Sequence, residues 1–260
     1  MKQRTKKTTF PSSPLLRGLS ILRSFNETNE ALSVTDLAKM TGIPQPTVWR
    51  FCQTFRSAGY LTTDSEKRLF RPGLAVLGLG FSALSHFDPS HHVRRHLVEL
   101  ADRFKVVAGI TFREGVTMRI VARHQAVDAV LSYNSRIGAT LPMATTASGW
   151  AYLASLDPAE RDKLAAQIAR EQPDLWKIAL PSYNKALARY QREGIIVSAG
   201  PIERGLTTVA IPIVCGNPQT IYPLYCSAIS TALPSEVIKR ELAPMMNKLA
   251  DQLRVVLPII

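Results

Sequence analysis

Three amphipathic helices are predicted in succession near the start of the chain. In the first, which we expect to begin at Pro14, apolar residues recur every three or four positions: Leu15, Leu19, Leu22 and Phe25. Ser33 can cap the second helix, with Asp36 in the capping-box position. The predicted buried face of that helix is Leu37, Ala38 and Met40. The third helix starts near Gln45-Pro46, and the same spacing predicts its buried face: Val48, Phe51, Cys52 and Phe55.

A short turn joins the second helix to the third, and a hairpin is predicted after them. The turn is Thr41-Gly42-Ile43-Pro44, and Gly42 marks the end of the second helix. After Gly59, two strand-like segments, Tyr60–Thr63 and Leu69–Arg71, flank a charged stretch. A support helix, two helices joined by a short turn, and a hairpin follow the order of a winged helix-turn-helix domain. The first domain is therefore expected to be mostly helical, with a β-hairpin wing.

The N-terminal end of the third helix is the part that we expect to meet base edges in the major groove. Burial of its apolar face turns four residues outward: Gln45, Thr47, Trp49 and Arg50. Gln45 can read adenine, and Arg50 can read guanine or hold a phosphate. Lys67 and Arg68 of the wing are expected at the DNA backbone or minor groove, and Thr35 completes the predicted DNA-binding set. A protein-binding three-helix unit with a solvated charged face is the alternative.

A strongly apolar helix is predicted directly after the wing. From Leu74 to Leu84 the chain is too apolar for a solvated linker and too short to span a bilayer. One stripe of this helix carries four large apolar side chains: Leu74, Leu77, Phe81 and Leu84. Packing against a second subunit explains such a stripe best. We therefore expect residues 74–88 to form a linker helix that mediates dimerisation.

After Asp88-Pro89, helices and strands are mixed without a regular βαβ repeat. A helix at 90–104 is predicted to precede strands at 106–112, 118–123 and 130–133. Further helices are predicted at 145–155, 158–171 and 182–193, and further strands at 195–198, 207–214 and 222–230. A closing helix is expected from Pro234 to Val256. Such mixing is typical of an α+β domain in which helices pack on an antiparallel sheet.

Length and charge narrow the classes of function. The chain has 260 residues, enough for two hydrophobic cores, and a net charge of +12. Residues 1–80 hold twelve Lys and Arg against five Asp and Glu, so the positive excess is concentrated where phosphates would be met. Residues 1–13 are expected to be a flexible basic arm. Without an apolar membrane-spanning stretch or a signal-peptide core, we expect a cytoplasmic protein with no membrane partner.

Few residues indicate catalytic or metal chemistry. Cys52, Cys215 and Cys226 lie in apolar runs without paired spacing, so we expect them to be reduced and buried. His92 and His96 have the i, i+4 spacing of zinc ligands, but no Glu or Cys completes a set nearby. The sequence contains no phosphate loop and no dinucleotide fingerprint. We therefore expect no catalytic residues, no metal site and no cofactor.

Three blocks in register resemble the IclR family of transcriptional regulators. The first block is LLRGLSILRSF…LSVTDLAKMTGIPQPTVWRFCQTFRSAGYL, followed by the wing DSEKRLFRPG. The others are SRIGATLPMATTASGWAYLA and REGIIVSAGPIERGLTTVAIPIV. The resemblance covers about Pro14 to Val256, and it implies a homodimer or a dimer of dimers. It also implies a GAF-like effector-binding domain for a small, often acidic or aromatic metabolite.

The expected domain organisation combines these patterns with the resemblance. A flexible basic arm at 1–13 precedes a winged helix-turn-helix domain at 14–73. The linker and dimerisation helix at 74–88 then leads to an α+β effector-binding domain at 89–260.

The candidate effector site centres on the block Pro142-Met143-Ala144-Thr145-Thr146-Ala147-Ser148-Gly149. Thr145 or Thr146 can cap the helix that follows, so the N–H groups near Ala147 and Ser148 lie at its positive end, where a carboxylate binds readily. The resemblance adds further pocket positions: Met143, Ser198, Thr208, Tyr225 and Ser227. Ordinary hydroxyls bonded to backbone are the alternative for each Ser and Thr.

The sequence departs from the family pattern at four positions. Members that bind small oxoacids tend to have an acidic residue and a cysteine where this chain has Ser198 and Thr208. Ala144 and Trp150 also replace a common His and Lys. These differences leave the identity of the effector open.

Three functions of different classes are compatible with the sequence. The first is a sequence-specific regulator whose binding to a palindromic operator is modulated by a small metabolite, an organic acid by expectation. The second is an enzyme whose catalytic domain, residues 90–260, is targeted by the N-terminal module; the absence of a convergent acid, base or nucleophile set opposes it. The third is a constitutive DNA-binding protein without an effector.

Overall fold

A computed structural model describes residues 13–26, 28–64, 68–87, 92–129, 136–199 and 205–259. The chain divides into two units, with the division between Ala83 and Leu84. Three predicted features lie outside the described residues: most of the basic arm at 1–13, Lys67 of the wing and the strand at 130–133. Within the described ranges, no helix is both long enough and apolar enough to cross a membrane.

In the described part of the first unit, three helices and a hairpin precede the linker helix. Its helices are α1 (Ser13–Arg23), α2 (Val34–Thr41) and α3 (Gln45–Ser57), and its strands are β1 (Leu61–Asp64) and β2 (Leu69–Pro72). The strands pair antiparallel, and Leu32 adds an isolated antiparallel bridge to Phe70. A common core holds these elements together: Ile21, Leu32, Leu37, Ile43, Val48, Cys52, Leu61 and Phe70. The predicted winged helix-turn-helix is confirmed.

The turn between α2 and α3 is fixed by local hydrogen bonds. Ser33 and Asp36 form the predicted capping box, in which the Asp36 N–H donates to Ser33 Oγ at 3.2 Å and the Ser33 N–H to Asp36 Oδ2 at 3.1 Å. Gly42 ends α2 in the left-handed conformation (φ 69°), and its N–H donates to the Ala38 carbonyl at 2.9 Å. Pro46 lies in the first turn of α3, where its missing N–H is not needed.

The buried faces of α1 and α2 differ from the prediction at three residues. Leu15, Leu19 and Met40 are exposed rather than buried. Helix α1 packs instead through Gly18 and Ile21. A Cβ on Gly18 would lie 3.2 Å from the Phe55 ring, so the absence of a side chain lets α1 approach α3 closely. Apolar residues cover more than one face of α1, and the three-to-four spacing could not reveal which face meets the core.

Helix α4 (Ala75–Phe87) is followed by the helices and strands of the second unit. In chain order the latter are α5 (His92–Phe104), β3 (Val107–Glu114), β4 (Thr117–Gln125), β5 (Thr140–Pro142), α6 (Ala147–Ser155), α7 (Pro158–Glu171), α8 (Pro173–Glu193), β6 (Ile196–Ser198), β7 (Leu206–Cys215) and β8 (Thr220–Ile229). The chain closes with α9 (Ser235–Val237), a π-helical turn (Ile238–Leu242) and α10 (Ala243–Leu253). The described strands form an antiparallel sheet in the order β5-β4-β3-β8-β7-β6.

Two hydrophobic cores lie on opposite faces of this sheet. Side chains alternate between faces along each strand, and on β8 Leu224 and Cys226 belong to the core with α5 and α10. Tyr225, between them, belongs to the core with α6, α7 and α8. Helix α6 rests on β7 and β8, and α8 on β6. The predicted α+β architecture is confirmed, and α6 covers one specific face of the sheet.

Two helical elements of the second unit differ from their prediction, and one strand was not predicted. Helix α8 begins at Pro173 rather than at 182, because Pro181 lies inside the helix on its exposed side instead of opening it. The closing helix contains a π-helical turn before α10. The short strand β5 was not predicted, since three residues are too few for a periodic pattern.

Candidate DNA-binding surface and effector site

The first two turns of α3 present most of the predicted base-reading residues to solvent. Gln45 and Arg50 are exposed, Thr47 is half-buried, and Thr35 is exposed on α2. Val48, on the opposite side of α3, is fully buried. A buried anchor between exposed polar side chains is the arrangement that a recognition helix needs to enter a groove without losing its packing.

Trp49 is half-exposed and connects α3 to the wing. Its side chain is 51% accessible, and its ring meets the buried Phe70 of β2 edge-on, with 6.0 Å between ring centroids. The wing itself thus covers part of the tryptophan. The remaining surface of the indole is free to contact DNA.

Arg68 is the predicted wing residue that the structure describes. Its side chain is exposed, its φ is 52°, and its N–H donates to the Asp64 carbonyl at 3.0 Å. A non-glycine residue with positive φ is uncommon, and here it closes the turn between β1 and β2. Arg68 thus stands immediately before β2, with its side chain exposed.

Three predicted effector residues stand in one row across three strands. Ser198 on β6 is paired with Thr208 on β7, and Thr208 is paired with Ser227 on β8. The Oγ1 of Thr208 and the Oγ of Ser227 are 2.8 Å apart. Directly opposite residues share a face of the sheet, so the three hydroxyl-bearing side chains lie together. Ser198 and Ser227 are buried, and Thr208 is half-buried.

A second row contains Tyr225, which lies two residues before Ser227 on β8. It is paired with Ala210 on one side and with Gly109 on the other. A Cβ on Gly109 would lie 2.6 Å from the Tyr225 hydroxyl, so the ring occupies the space that a side chain at Gly109 would need. Tyr225 therefore crosses β3 towards β4. The row ends at Arg123, which is paired with Gly109 from the other side.

The N-terminal end of α6 is held against the segment that precedes it. Thr146, one of the two predicted caps, accepts from the Gly149 N–H at 3.3 Å and donates to the Pro142 carbonyl at 2.8 Å. Trp150 Nε1 donates to the Ala144 carbonyl at 2.8 Å. A Cβ on Gly149 would lie 2.6 Å from Met143 Cα, so only glycine permits this approach. The other predicted residues here are all buried: Met143, Ala147 and Ser148.

The structure thus places all seven predicted effector residues on the elements that enclose one face of the sheet. Four lie in the two rows on β6, β7 and β8, and three lie in or beside α6, which packs on β7 and β8. Arg123 and Gln125 of β4 extend the same rows. Neither residue was included in the effector set predicted from the sequence. Their charge and polarity were visible in the sequence, but the pairing of β4 with β3 was not.

The cysteines behave as ordinary structural residues. All three cysteines are free and buried. Burial raises the pKa of the Cys52 thiol to about 11 and the pKa of Cys226 further, which disfavours the thiolate needed by a nucleophile. No group of three or more metal-ligating side chains is present within the described ranges.

Two family models match the chain, one on each unit. The IclR helix-turn-helix domain matches residues 14–65. The C-terminal domain of bacterial IclR transcriptional regulators matches residues 81–255. Among curated relatives, the HTH-type transcriptional regulator TsaQ1/TsaQ2 of Comamonas testosteroni is 28% identical over 242 residues, covering 92% of this chain and 86% of that protein.

Solved structures agree with this assignment. An IclR family transcriptional regulator from Brucella abortus has a TM-score of 0.86 at 26% identity, covering 97% of this chain and 95% of that one. An IclR homologue from Microbacterium hydrocarbonoxydans, solved in complex with 4-hydroxybenzoate, has a TM-score of 0.68 at 17% identity and covers 94% and 98%. The likeness to the Microbacterium structure shows a shared fold and nothing more. The chain belongs to the IclR family, and it is a DNA-binding transcriptional regulator rather than an enzyme.

Proposed function

We propose that this chain regulates transcription by binding a palindromic operator as a homodimer, and that a small carboxylate in the second unit changes this binding. The observation that carries the proposal is the gathering of Ser198, Thr208, Ser227 and Tyr225 on one sheet face. A cluster of polar side chains on a covered sheet face is unusual for a purely structural core. A constitutive DNA-binding protein would not need them.

The DNA-reading part of the proposal rests on α3 and the wing. Gln45 and Arg50 point away from the core, and both side chains can bond to base edges, adenine for Gln45 and guanine for Arg50. Arg68 at the wing tip is suited to a phosphate or to the minor groove. Two copies related by a two-fold axis would present two such helices to two half-sites, which makes the operator palindromic.

The dimer part of the proposal rests on the exposed apolar stripe of α4. Leu77 and Phe81 are 53% and 65% accessible, and Leu74 just before the helix is 81% accessible. Exposed apolar side chains in a contiguous stripe mark an association surface. The exposed Leu15 and Leu19 of α1 offer further apolar surface.

The effector part of the proposal rests on chemistry and on one relative. The N-terminal end of α6 favours a negative group, and the hydroxyls of Thr208 and Ser227 can bond a carboxylate or a phenol. The Microbacterium homologue binds 4-hydroxybenzoate, which carries both of these groups. We therefore propose an aromatic carboxylate as the effector class. Its binding would bias the placement of two DNA-binding domains and so couple two binding equilibria.

A titration of labelled DNA tests the proposed function. DNA from upstream of the chain's own gene would be titrated with protein, with and without 4-hydroxybenzoate and related benzoates, and followed by fluorescence anisotropy. We expect saturable binding to a palindrome and a several-fold change in affinity with at least one benzoate. Chromatography of the recovered benzoate should show no turnover. Unchanged DNA affinity and an unchanged melting temperature with every acid would favour a constitutive DNA-binding protein.

A further inference from the structure

We infer that Arg123 on β4 is the cation that binds the effector's carboxylate, and that Gln125 positions it. This inference rests on the proposed effector function and deepens it, because it assigns recognition of the acid group to a named side chain. Neither residue belongs to the set predicted from the sequence.

Strand register places Arg123 on the effector face. Arg123 is paired with Gly109, which is paired in turn with Tyr225, and Gln125 is paired with Val107 in the row of Ser227. His124, between them, points to the other face, where its Nε2 lies 3.6 Å from Asp102 of α5. Because side chains alternate along a strand, Arg123 and Gln125 point to the face that α6 covers.

Gly109 separates Arg123 from Tyr225 in this row, and the ring of Tyr225 extends over it. Gly109 has no side chain, and the Tyr225 hydroxyl lies over it, 2.6 Å from the position of an ideal Cβ. The phenol therefore extends over β3 towards β4, the strand that carries Arg123. A carboxylate held there could accept from the phenol and from the guanidinium.

The guanidinium is held in place within the rows. Its NH2 group donates to Gln125 Oε1 at 2.7 Å, and its Nε is shielded from solvent. Gln125 is neutral, so it orients the guanidinium without cancelling its charge. A partly desolvated cation interacts more strongly with an anion than a solvated one does, and the planar fork of arginine matches a carboxylate with two parallel hydrogen bonds.

Two neighbouring arginines of β3 and β4 have other polar partners, and Arg119 lies on the opposite face of the sheet. None of the seven predicted effector residues has a charged side chain. Arg119 donates through Nε to Glu114 Oε2 at 2.8 Å. Arg113 donates to the Tyr152 hydroxyl at 3.0 Å, and its guanidinium lies 5.4 Å from the centre of the Tyr152 ring. The end of α6 contributes only a partial charge. Arg123 brings a full positive charge to the sheet face that carries these uncharged residues.

Calorimetric titration with a matched pair of probes tests the inference. The probes are 4-hydroxybenzoate and its neutral amide, 4-hydroxybenzamide, which have nearly the same shape. We expect the wild type to prefer the acid, and Arg123→Gln to lose about tenfold or more in affinity for the acid with little change for the amide. Arg123→Lys, which keeps the charge without the fork, should fall between. Arg119→Gln is the control, because it removes the same charge from the same strand on the opposite face.

A second variant tests the role of the positive charge while Arg123 itself is kept. Gln125→Glu places a carboxylate where Gln125 now accepts from Arg123, so it should neutralise the cation internally and lower affinity for the acid while sparing the amide. Retained operator binding and an unchanged circular dichroism spectrum verify the fold of each variant.

The outcomes separate this inference from the proposed function. Equal acid affinity and acid preference in wild type, Arg123→Gln and Gln125→Glu would overturn the role of Arg123 and leave the effector function standing. A wild type that prefers the amide would overturn the inference but retain a ligand-responsive regulator. A wild type that binds neither probe would overturn the inference and also count against an aromatic carboxylate as effector.

Discussion

The ring of Tyr225 lies across Gly109, with its hydroxyl and Cε1 atoms 2.6 and 2.7 Å from the point where a side chain at that glycine would begin. Tyr225 comes from β8 and Gly109 from β3, and the two are register partners. The ring of Tyr225 thus fills the space on one face of the sheet that the side chain of an ordinary β-strand residue would take. The position of Tyr225 therefore depends on the absence of a side chain at Gly109.

Gly109→Ala is expected to displace Tyr225 and to destabilise the second unit by about 1–3 kcal/mol, the usual effect of overpacking. Urea unfolding measures the loss, and a Trp49→Phe background leaves Trp150 and Trp176, both in that unit, as reporters. The double variant Gly109→Ala with Tyr225→Ser should recover part of the stability, because the ring no longer competes for the space. If the stability lost in the double variant equalled the sum of the losses in Gly109→Ala and Tyr225→Ser, the steric relationship would be contradicted.

Gly149→Ala should be more damaging than Gly109→Ala. Its Cβ would meet backbone atoms of Met143, with Met143 Cα at 2.6 Å, and backbone cannot move aside as a tyrosine ring can. We expect a loss of about 3 kcal/mol or more in the same urea assay, since either α6 or the Met143 segment must shift. Stability equal to that of the wild type would mean that the α6 junction is looser than described.

Arg68→Ala should weaken binding to all DNA sequences about equally. If the wing-tip guanidinium contacts a phosphate, its removal lowers the slope of log affinity against log salt by about one unit. Arg50→Ala should instead reduce the preference for the operator over random DNA, by about 1–3 kcal/mol if it reads a guanine. Lys163→Ala, which removes an exposed cation from α7, is the matched control and should change neither quantity.

Leu77→Glu together with Phe81→Glu should convert the proposed dimer into monomers. Charges on the exposed stripe of α4 would have to be buried without partners at the interface. Light scattering measures the mass, and operator binding should lose its cooperativity. Ile178→Glu, which changes a 57% exposed apolar residue on α8 in the same way, is the control. A double variant with the mass of a dimer would place the interface elsewhere.

The capping box of α2 should give the first unit a pH-dependent stability. Hydrogen bonds from the Ser33 hydroxyl and backbone N–H hold the pKa of Asp36 below its ordinary value of 3.8. A lowered folded-state pKa stabilises the fold at pH values above the ordinary pKa, and this contribution is lost as the pH falls through the folded-state pKa. Asp36→Asn should therefore melt below the wild type at pH 7, and the difference should narrow below about pH 4. A constant difference down to pH 3 would contradict this role.

Periodic patterns predicted most of the fold, and the misses have physical reasons. The capping box, the turn at Gly42 and helix α7 were predicted because each depends on residues close in sequence. Leu15 and Leu19 were assigned to the core wrongly, because a helix with several apolar faces does not encode which face meets its neighbour. Helix α8 was predicted only from 182 onwards, although an exposed proline such as Pro181 can lie within a helix.

The candidate effector site was predictable only in part. Its residues on β6, β7 and β8 came from a resemblance, and pairing of these strands brings Ser198, Thr208 and Ser227 into one row. Arg123 could not be placed, because its face depends on the register between β4 and β3 and on the irregularity between Ile110 and Thr111. Register is set by contacts distant in sequence, which a single sequence does not reveal.

The alternation of β8 separates two kinds of evolutionary constraint within one strand. Leu224, Cys226 and Ala228 fill the core beneath α5 and α10, and a change in their volume affects stability first. Tyr225 and Ser227 face α6 and can vary with the ligand. A relative could therefore acquire a new effector by changing every second residue of β8 while its scaffold stays intact. Libraries aimed at new specificities should randomise the odd-numbered positions and leave the even-numbered ones unchanged.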